Sequence, residues 1–151
     1  MIQTAIITGA SGSIGGAIAR RFSKAGYSLV LTGYQSKENL ERTKKLCLED
    51  AKQKKITLHT MCGDLSDPKI AENQMQEALQ ILGHVDILVN CAGISHIGLF
   101  HDMSNDEWKK MIDTNLSSIF YCCRSITPSM IHKKRGRILN ISSVWGNVGA
   151  S

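Results

Sequence analysis

The 151 residues predict an α/β fold, an open doubly wound parallel sheet held between two layers of helices. Three observations carry that expectation. Short continuous apolar runs at residues 5–7, 27–32, 85–90 and 138–141 have the composition of strands buried on both faces, with a short, half-apolar run at 56–61. Longer stretches with helical spacing of apolar residues separate them, giving the order βαβαβαβαβ. No internal repeat, low-complexity tract or interior linker breaks the alternation, and the chain has two prolines.

The first strand ends in a glycine-rich turn, TAIITGASGSIG over residues 4–15, with Gly9, Gly12 and Gly15 as its punctuation. Glycine lets backbone approach a pyrophosphate closely, and the helix that follows presents unpaired N–H groups and the positive end of its dipole. A glycine turn between strand and helix, inside a βαβ unit of about 30 residues, is the context of dinucleotide binding on a Rossmann-type sheet. Gly9, Ser11, Gly12, Ser13, Ile14 and Gly15 are therefore the candidate phosphate cradle. Along the helix, Ile14, Ala17, Ile18 and Phe22 are expected to pack on the sheet, with Arg20, Arg21 and Lys24 in water and Gly26 as the stop.

The second strand covers residues 27–32 and leads, through a loop at 33–36, into a polar helix over about 37–54. A carboxylate at the end of this strand would hold a ribose 2′-hydroxyl and favour NAD(H). Residues 32–36 carry no acid, and Lys37 lies just beyond, so NADP(H) is expected over NAD(H), with Tyr34 and Lys37 as candidate contacts. After the third strand, Asp67 caps a helix that opens at Pro68 and runs to Gly83. Asp64 stands between two readings, an acceptor for the adenine amino group or a plain turn-forming residue.

The fourth strand is followed by Cys91, Ala92 and Gly93, small enough either for a tight turn or for a cofactor to lie against the backbone. The loop at 95–103 is longer than most βα connections and sits where substrates are met. Ser104 and Glu107 form a capping box, so a helix starts there and runs to about residue 132. It is expected to carry Trp108, Met111, Ile112, Asn115, Leu116, Ile119 and Phe120 inward. Asn115 is then either a satisfied structural amide or part of a site. A fifth strand at 138–141 ends in Ser142 and Ser143, placed to bond a substrate oxygen, and residues 144–151 run on as loop.

Composition narrows the function classes. Eighteen Lys and Arg against 13 Asp and Glu leave a net charge of +5, but the charges are spread over several helices, with no aromatic-interleaved basic patch, so no nucleic-acid partner is expected. The apolar start is too short for a leader or spanning helix, which predicts a cytoplasmic protein with no membrane partner. Five cysteines without CxxC spacing suggest neither disulfides nor a metal site.

Taken together, TGASGSIG at 8–15, Asp64-Leu65, NCAG at 90–93, Asn115 within TNLSS, and NISS at 140–143 resemble the short-chain dehydrogenase/reductase family, in order and spacing along the whole chain. The likeness is greatest to the bacterial 3-oxoacyl-acyl-carrier-protein reductases of fatty acid biosynthesis. It implies hydride transfer from NADPH to a ketone, presented as a small molecule or on an acyl-carrier protein. It further implies Asp64 and Leu65 at the adenine, Asn90, Ala92 and Gly93 in the cofactor pocket, Asn115 in a proton relay and Ser143 on the substrate carbonyl. The segments SSVWGNVGAS and LFHDMSNDEW also resemble members acting on a protein-bound ketone of a translation factor.

Three departures stand out. Ser13 replaces a usual glycine, Cys91 replaces a common Asn, and the family's catalytic Tyr-x-x-x-Lys segment is expected about 13 residues beyond Ser143, past Ser151. The resemblance therefore implies an amino-terminal piece of a longer protein, one Rossmann domain whose sheet is incomplete on its carboxyl-terminal side. That piece is expected to be inactive alone and to bare an apolar face, the longer protein forming homotetramers or homodimers. A nucleotide-binding scaffold or sensor without chemistry is the alternative from another class.

Overall fold

The structure is a computed structural model that describes residues 2–52, 54–146 and 148. Five strands form one sheet: β1 (Thr4–Ile7), β2 (Ser28–Gly33), β3 (Leu58–Cys62), β4 (Ile87–Asn90) and β5 (Arg137–Asn140). Their order is β3-β2-β1-β4-β5 and every pairing is parallel. The helices α1 (Ser13–Ala25), α2 (Lys37–Ala51), α3 (Pro68–Leu82), α4 (Asn105–Ile112) and α5 (Ser118–His132) complete three layers, as the alternation of apolar runs predicts. Chain direction across the sheet reverses between β1 and β4, so a crevice opens at the carboxyl ends of those two strands.

Alternation along each strand sends neighbouring residues to opposite faces. Ile6, Val30 and Leu88 join α3 and α5 through Met75, Ala78, Cys122 and Ile126. Ala5, Ile7, Leu29, Leu31 and Val89 join α1 and α2 through Ala19, Leu40 and Cys47. Burying a Leu or Ile side chain is worth about 1.5–3 kcal/mol, so these two clusters dominate stability. The end of the sheet away from the crevice is closed by Asp86, which is 7% exposed. Asp86 accepts from the Thr4 amide at 2.9 Å and from Arg135 Nε and Nη2 at 2.9 and 2.6 Å. Burial alone would push its carboxyl up, but the Thr4 amide and the Arg135 guanidinium outweigh that and hold it below the ordinary carboxylate range.

Several local expectations are corrected. Helix α1 packs through Gly15, Gly16, Ala19 and Ser23, with Ile14 59% exposed and Ala17 also outside. Small residues win that face because the helix lies close: a Cβ on Gly16 would stand 3.3 Å from Thr43 Oγ1 and 3.4 Å from Ala10 O. Helix α2 stops at Ala51, one residue before Lys52 takes a positive φ of 55°. Trp108, Leu116 and Phe120 point outward, 54%, 62% and 56% exposed.

The long fourth helix is interrupted by a π turn at Asp113–Ser117, in which the Ser118 amide bonds Asp113 O, five residues back. The widened turn changes which residues share a face beyond it. Strand bounds shift by one or two residues at all five strands. Ile138 and Leu139 on β5 and Ile141 just after it are exposed. The five cysteines are free. Among the described residues no helix is long and apolar enough to cross a membrane, and no cluster of metal-ligating side chains occurs. Residues 149–151 of the expected terminal loop, with Asn147, lie outside the described residues.

Candidate functional site

The glycine turn is pinned on both sides before any ligand is considered. Thr8 N donates to Val89 O at 2.9 Å, Ala10 N to Thr32 O at 2.8 Å, and Thr43 Oγ1 to Ala10 O at 3.0 Å. Gly9 has φ +67°, and a Cβ there would lie 2.7 Å from Ala92 Cα, so only glycine fits between the two turns. A Cβ on Gly15 would collide with Gly9 O. Gly12 is the N-cap of α1 with no side-chain cap, and Gly16 N, bonding Gly12 O at 2.9 Å, is the first amide to turn back into the helix. The amides of Ser13, Ile14 and Gly15 are left facing outward, a geometry that binds anions. Exposed Ile14 belongs to this rim.

These residues line one crevice of about 770 Å³ that runs across the ends of β3, β2, β1, β4 and β5. Of the predicted site residues it brings together Gly9, Ser11, Gly12, Ser13, Ile14 and Gly15, then Tyr34, Asp64 and Leu65, then Ala92, Gly93, Asn115 and Ser143. Two predicted residues are not in its lining. Lys37 is the first residue of α2, which Ser36 caps by accepting from Asn39 N at 3.2 Å, and it leaves with that helix. Asn90 is 2% exposed, and its Nδ2 donates to Asn140 Oδ1 at 2.9 Å across β4 and β5 in register. It is a strut beneath the crevice.

The turn-forming reading of Asp64 and the satisfied-amide reading of Asn115 are both met, and both residues also line the crevice. Asp64 Oδ1 accepts from Ser66 N at 3.0 Å and Ser66 Oγ at 2.7 Å, a turn-forming role, while the residue still lines the crevice. Asn115 Oδ1 accepts from Ile94 N at 2.8 Å and its Nδ2 donates to Ile94 O at 2.9 Å, so the amide is satisfied and also faces the crevice. Gly93 permits this, since a Cβ there would stand 3.1 Å from Asn115 Oδ1. Ser143 Oγ accepts from Trp145 N at 3.3 Å, which leaves the hydroxyl proton available.

Sequence reasoning missed Thr8, whose Oγ1 accepts from both Cys91 N and Ala92 N at 3.0 Å and so ties β1 to the turn after β4. It also missed Thr32 and the row Lys110, Thr114 and Ser118. The spacing i, i+4, i+8 of that row is a polar stripe legible in the sequence. Burial pushes the Cys91 thiol up, so this cysteine behaves as a small apolar wall.

An open parallel sheet with a crevice at its reversal point, a glycine turn and an uncapped helix start defines a dinucleotide-binding α/β domain. Comparison with known proteins makes the class specific: the short chain dehydrogenase profile matches residues 3–151, and the chain belongs to that family. It is 35% identical over 149 residues to a 3-oxoacyl-acyl-carrier-protein reductase FabG of Staphylococcus aureus, covering 99% of this chain and 59% of that protein. It is 37% identical over 147 residues to an acetoacetyl-CoA reductase of an Acinetobacter species, covering 97% and 58%. A metagenomic short-chain oxidoreductase solved in complex with NADP superposes with a TM-score of 0.90 at 33% identity, covering 99% of this chain and 66% of that one. The chain thus spans 59% and 58% of the length of these two curated relatives.

Proposed function

We propose that the chain carries the cofactor crevice and part of the substrate site of an NADP(H)-dependent ketone reductase, with 3-oxoacyl thioesters as the substrate class. One observation supports this above the others. The uncapped start of α1, over a cradle that side chains at Gly9 and Gly15 would fill, shares a crevice with Asn115 and Ser143. Thr32 Oγ1 adds to the fit: it is 0% exposed, lines the same crevice, and has no hydrogen-bond partner among the described residues.

A nicotinamide dinucleotide bound here would supply the hydride. The amides of Ser13 to Gly15 would hold its diphosphate, and Asp64 with Leu65 would meet the adenine. The acid-free end of β2, with Tyr34 beside it, leaves room for a 2′-phosphate. Ser143 would donate its hydroxyl proton in a hydrogen bond to the ketone oxygen, orienting and polarising it. Asn115, locked by Ile94, would position the proton path behind it.

Titrating the full-length protein with NADPH and NADH, then assaying an acetoacetyl thioester and a protein-bound ketone, tests the reading. Tighter binding of NADPH and turnover of the thioester are expected. Binding without turnover of either ketone would replace the reductase by a nucleotide-binding scaffold, and absence of binding would remove both.

A further inference from the structure

We infer that Lys110 sets substrate specificity by anchoring an anionic group on the ketone, an assignment resting on the reductase reading. Lys110 lines the crevice, and no other Lys or Arg does so among the described residues. Its neighbour Lys109 is paired with Asp113, whereas no carboxylate among the described residues pairs with Lys110. Asp64 is the one acid in the same lining. An unpaired ammonium in a concave site is a place where a ligand's negative charge completes the electrostatics.

The helix geometry puts it there. In an unbroken α-helix, residues five apart point about 140° away from each other. The π turn at Asp113–Ser117 opens the helix between Lys110 and Asn115 and reduces that angle, so both face the crevice. Asn115 is fastened to Ile94, four residues past the end of β4, which locates this part of the helix over β4.

Position on the sheet then decides which anion it meets. Strand β5, whose end leads to Ser143, is the direct neighbour of β4. Strand β2, where a 2′-phosphate would sit, lies two strands away on the other side, about 10 Å at the usual strand spacing. The diphosphate is already served by the start of α1. The charge left for Lys110 belongs to the substrate: the phosphate of a carrier-linked thioester or the carboxylate of a free 3-oxo acid.

The test is steady-state kinetics of the full-length protein with NADPH on three ketones. They are acetoacetyl-pantetheine 4′-phosphate, free acetoacetate and the neutral acetoacetyl-N-acetylcysteamine. Lys110→Gln should raise KM about tenfold or more for an anionic ketone and leave KM for the neutral thioester and Kd for NADPH unchanged, with Lys110→Arg restoring it. Loss confined to the phosphate or to the carboxylate identifies which anion is read, and either supports the assignment. An equal change on the neutral thioester, no change on any ketone, or a weakened NADPH complex overturns it. A wild-type protein inactive on all three ketones removes the 3-oxoacyl substrate class and the role of Lys110 with it. An unchanged melting temperature for Lys110→Gln shows that the exposed site has been altered without unfolding.

Discussion

Replacing Gly9 by alanine should uncouple the two turns that build the crevice. The residue has φ +67°, and an L side chain in that region costs about 1–2 kcal/mol. The new Cβ would stand 2.7 Å from Ala92 Cα, 2.8 Å from Ala92 N and 2.9 Å from Cys91 O. All three are backbone atoms, and Thr8 Oγ1 holds the amides of both residues, so no side-chain rotation can relieve the contact. Overpacking of this kind adds about 1–3 kcal/mol, giving a loss of about 2–5 kcal/mol in all. That is a large part of the total stability of a domain, about 5–15 kcal/mol. Urea unfolding followed by tryptophan fluorescence would report it as a lower midpoint with an unchanged slope. Gly12→Ala is the internal control: φ is −87° and its Cβ would meet nothing closer than Gly9 O at 3.4 Å. It should cost less than about 1 kcal/mol, yet weaken NADPH binding, because its methyl group stands at the open start of α1. A Gly9→Ala protein that unfolds at the wild-type midpoint would refute the account of why glycine is required there.

Three further outcomes are expected. Asp86 has its carboxyl held low in the folded protein, so its stabilisation is complete above the unfolded value of about 3.9 and is lost as pH falls through the lower folded value. Urea midpoints should therefore be level at neutral pH and drop in acid, a drop that Asp86→Asn reduces while costing about 2 kcal/mol at pH 7. Burial pushes the thiols of Cys47 and Cys122 up to about 11 and about 12. At pH 8 a thiol reagent should label exposed Cys62 first and reach those two only on unfolding, because about one in a thousand or fewer of their sulfurs is thiolate. Asn115→Ala removes both bonds to Ile94 and should lower stability by about 1–3 kcal/mol, with faster amide exchange at Ile94 as the local signature.

The layers of the fold and the succession of strands and helices along the chain were legible because apolar runs, glycine stops and caps speak for single elements. Asp67, Pro68 and Gly83 bound α3 as their chemistry requires, with Asp67 Oδ1 accepting from Lys69 N at 2.8 Å. Helix faces were less legible. Counting large apolar residues at helical spacing placed Ile14 inward, whereas close contact between α1 and α2 selects glycine, alanine and serine for that face. The outward turn of Leu116 and Phe120 has a different origin: their phase depends on the π turn, and no residue type between Asp113 and Ser117 announces a change of helical period. Trp108 precedes that turn and is exposed on a helix that buries none of its residues. The surroundings of Asn90 were not legible for a third reason: its strand position is as expected, but pairing with Asn140 depends on which strand lies beside β4, a fact of topology.

The two ends of the sheet show how the fold separates rigidity from access. At the amino ends of β1 and β4, buried Asp86 gathers Thr4 and Arg135. At the carboxyl ends Thr8 ties the same two strands, through its amide to Val89 O and through a hydroxyl small enough to leave the space above it free. The polar groups fixed around that space are backbone amides, hydroxyls and amide side chains, and the charges lining it are Asp64 and Lys110, one on each side of the reversal point. On the proposed reading, an unequal division of charge across one crevice would give a bound dinucleotide a direction, with the base end toward β3 and the reacting end toward β5. Exchanging the two charges, Asp64→Lys with Lys110→Asp, should therefore weaken the dinucleotide and an anionic ketone together, while the buried ties at Thr8 and Asp86 keep the melting temperature within a few degrees. Binding of both ligands at wild-type strength by that double variant would show that orientation comes from the backbone cradle without help from either side chain.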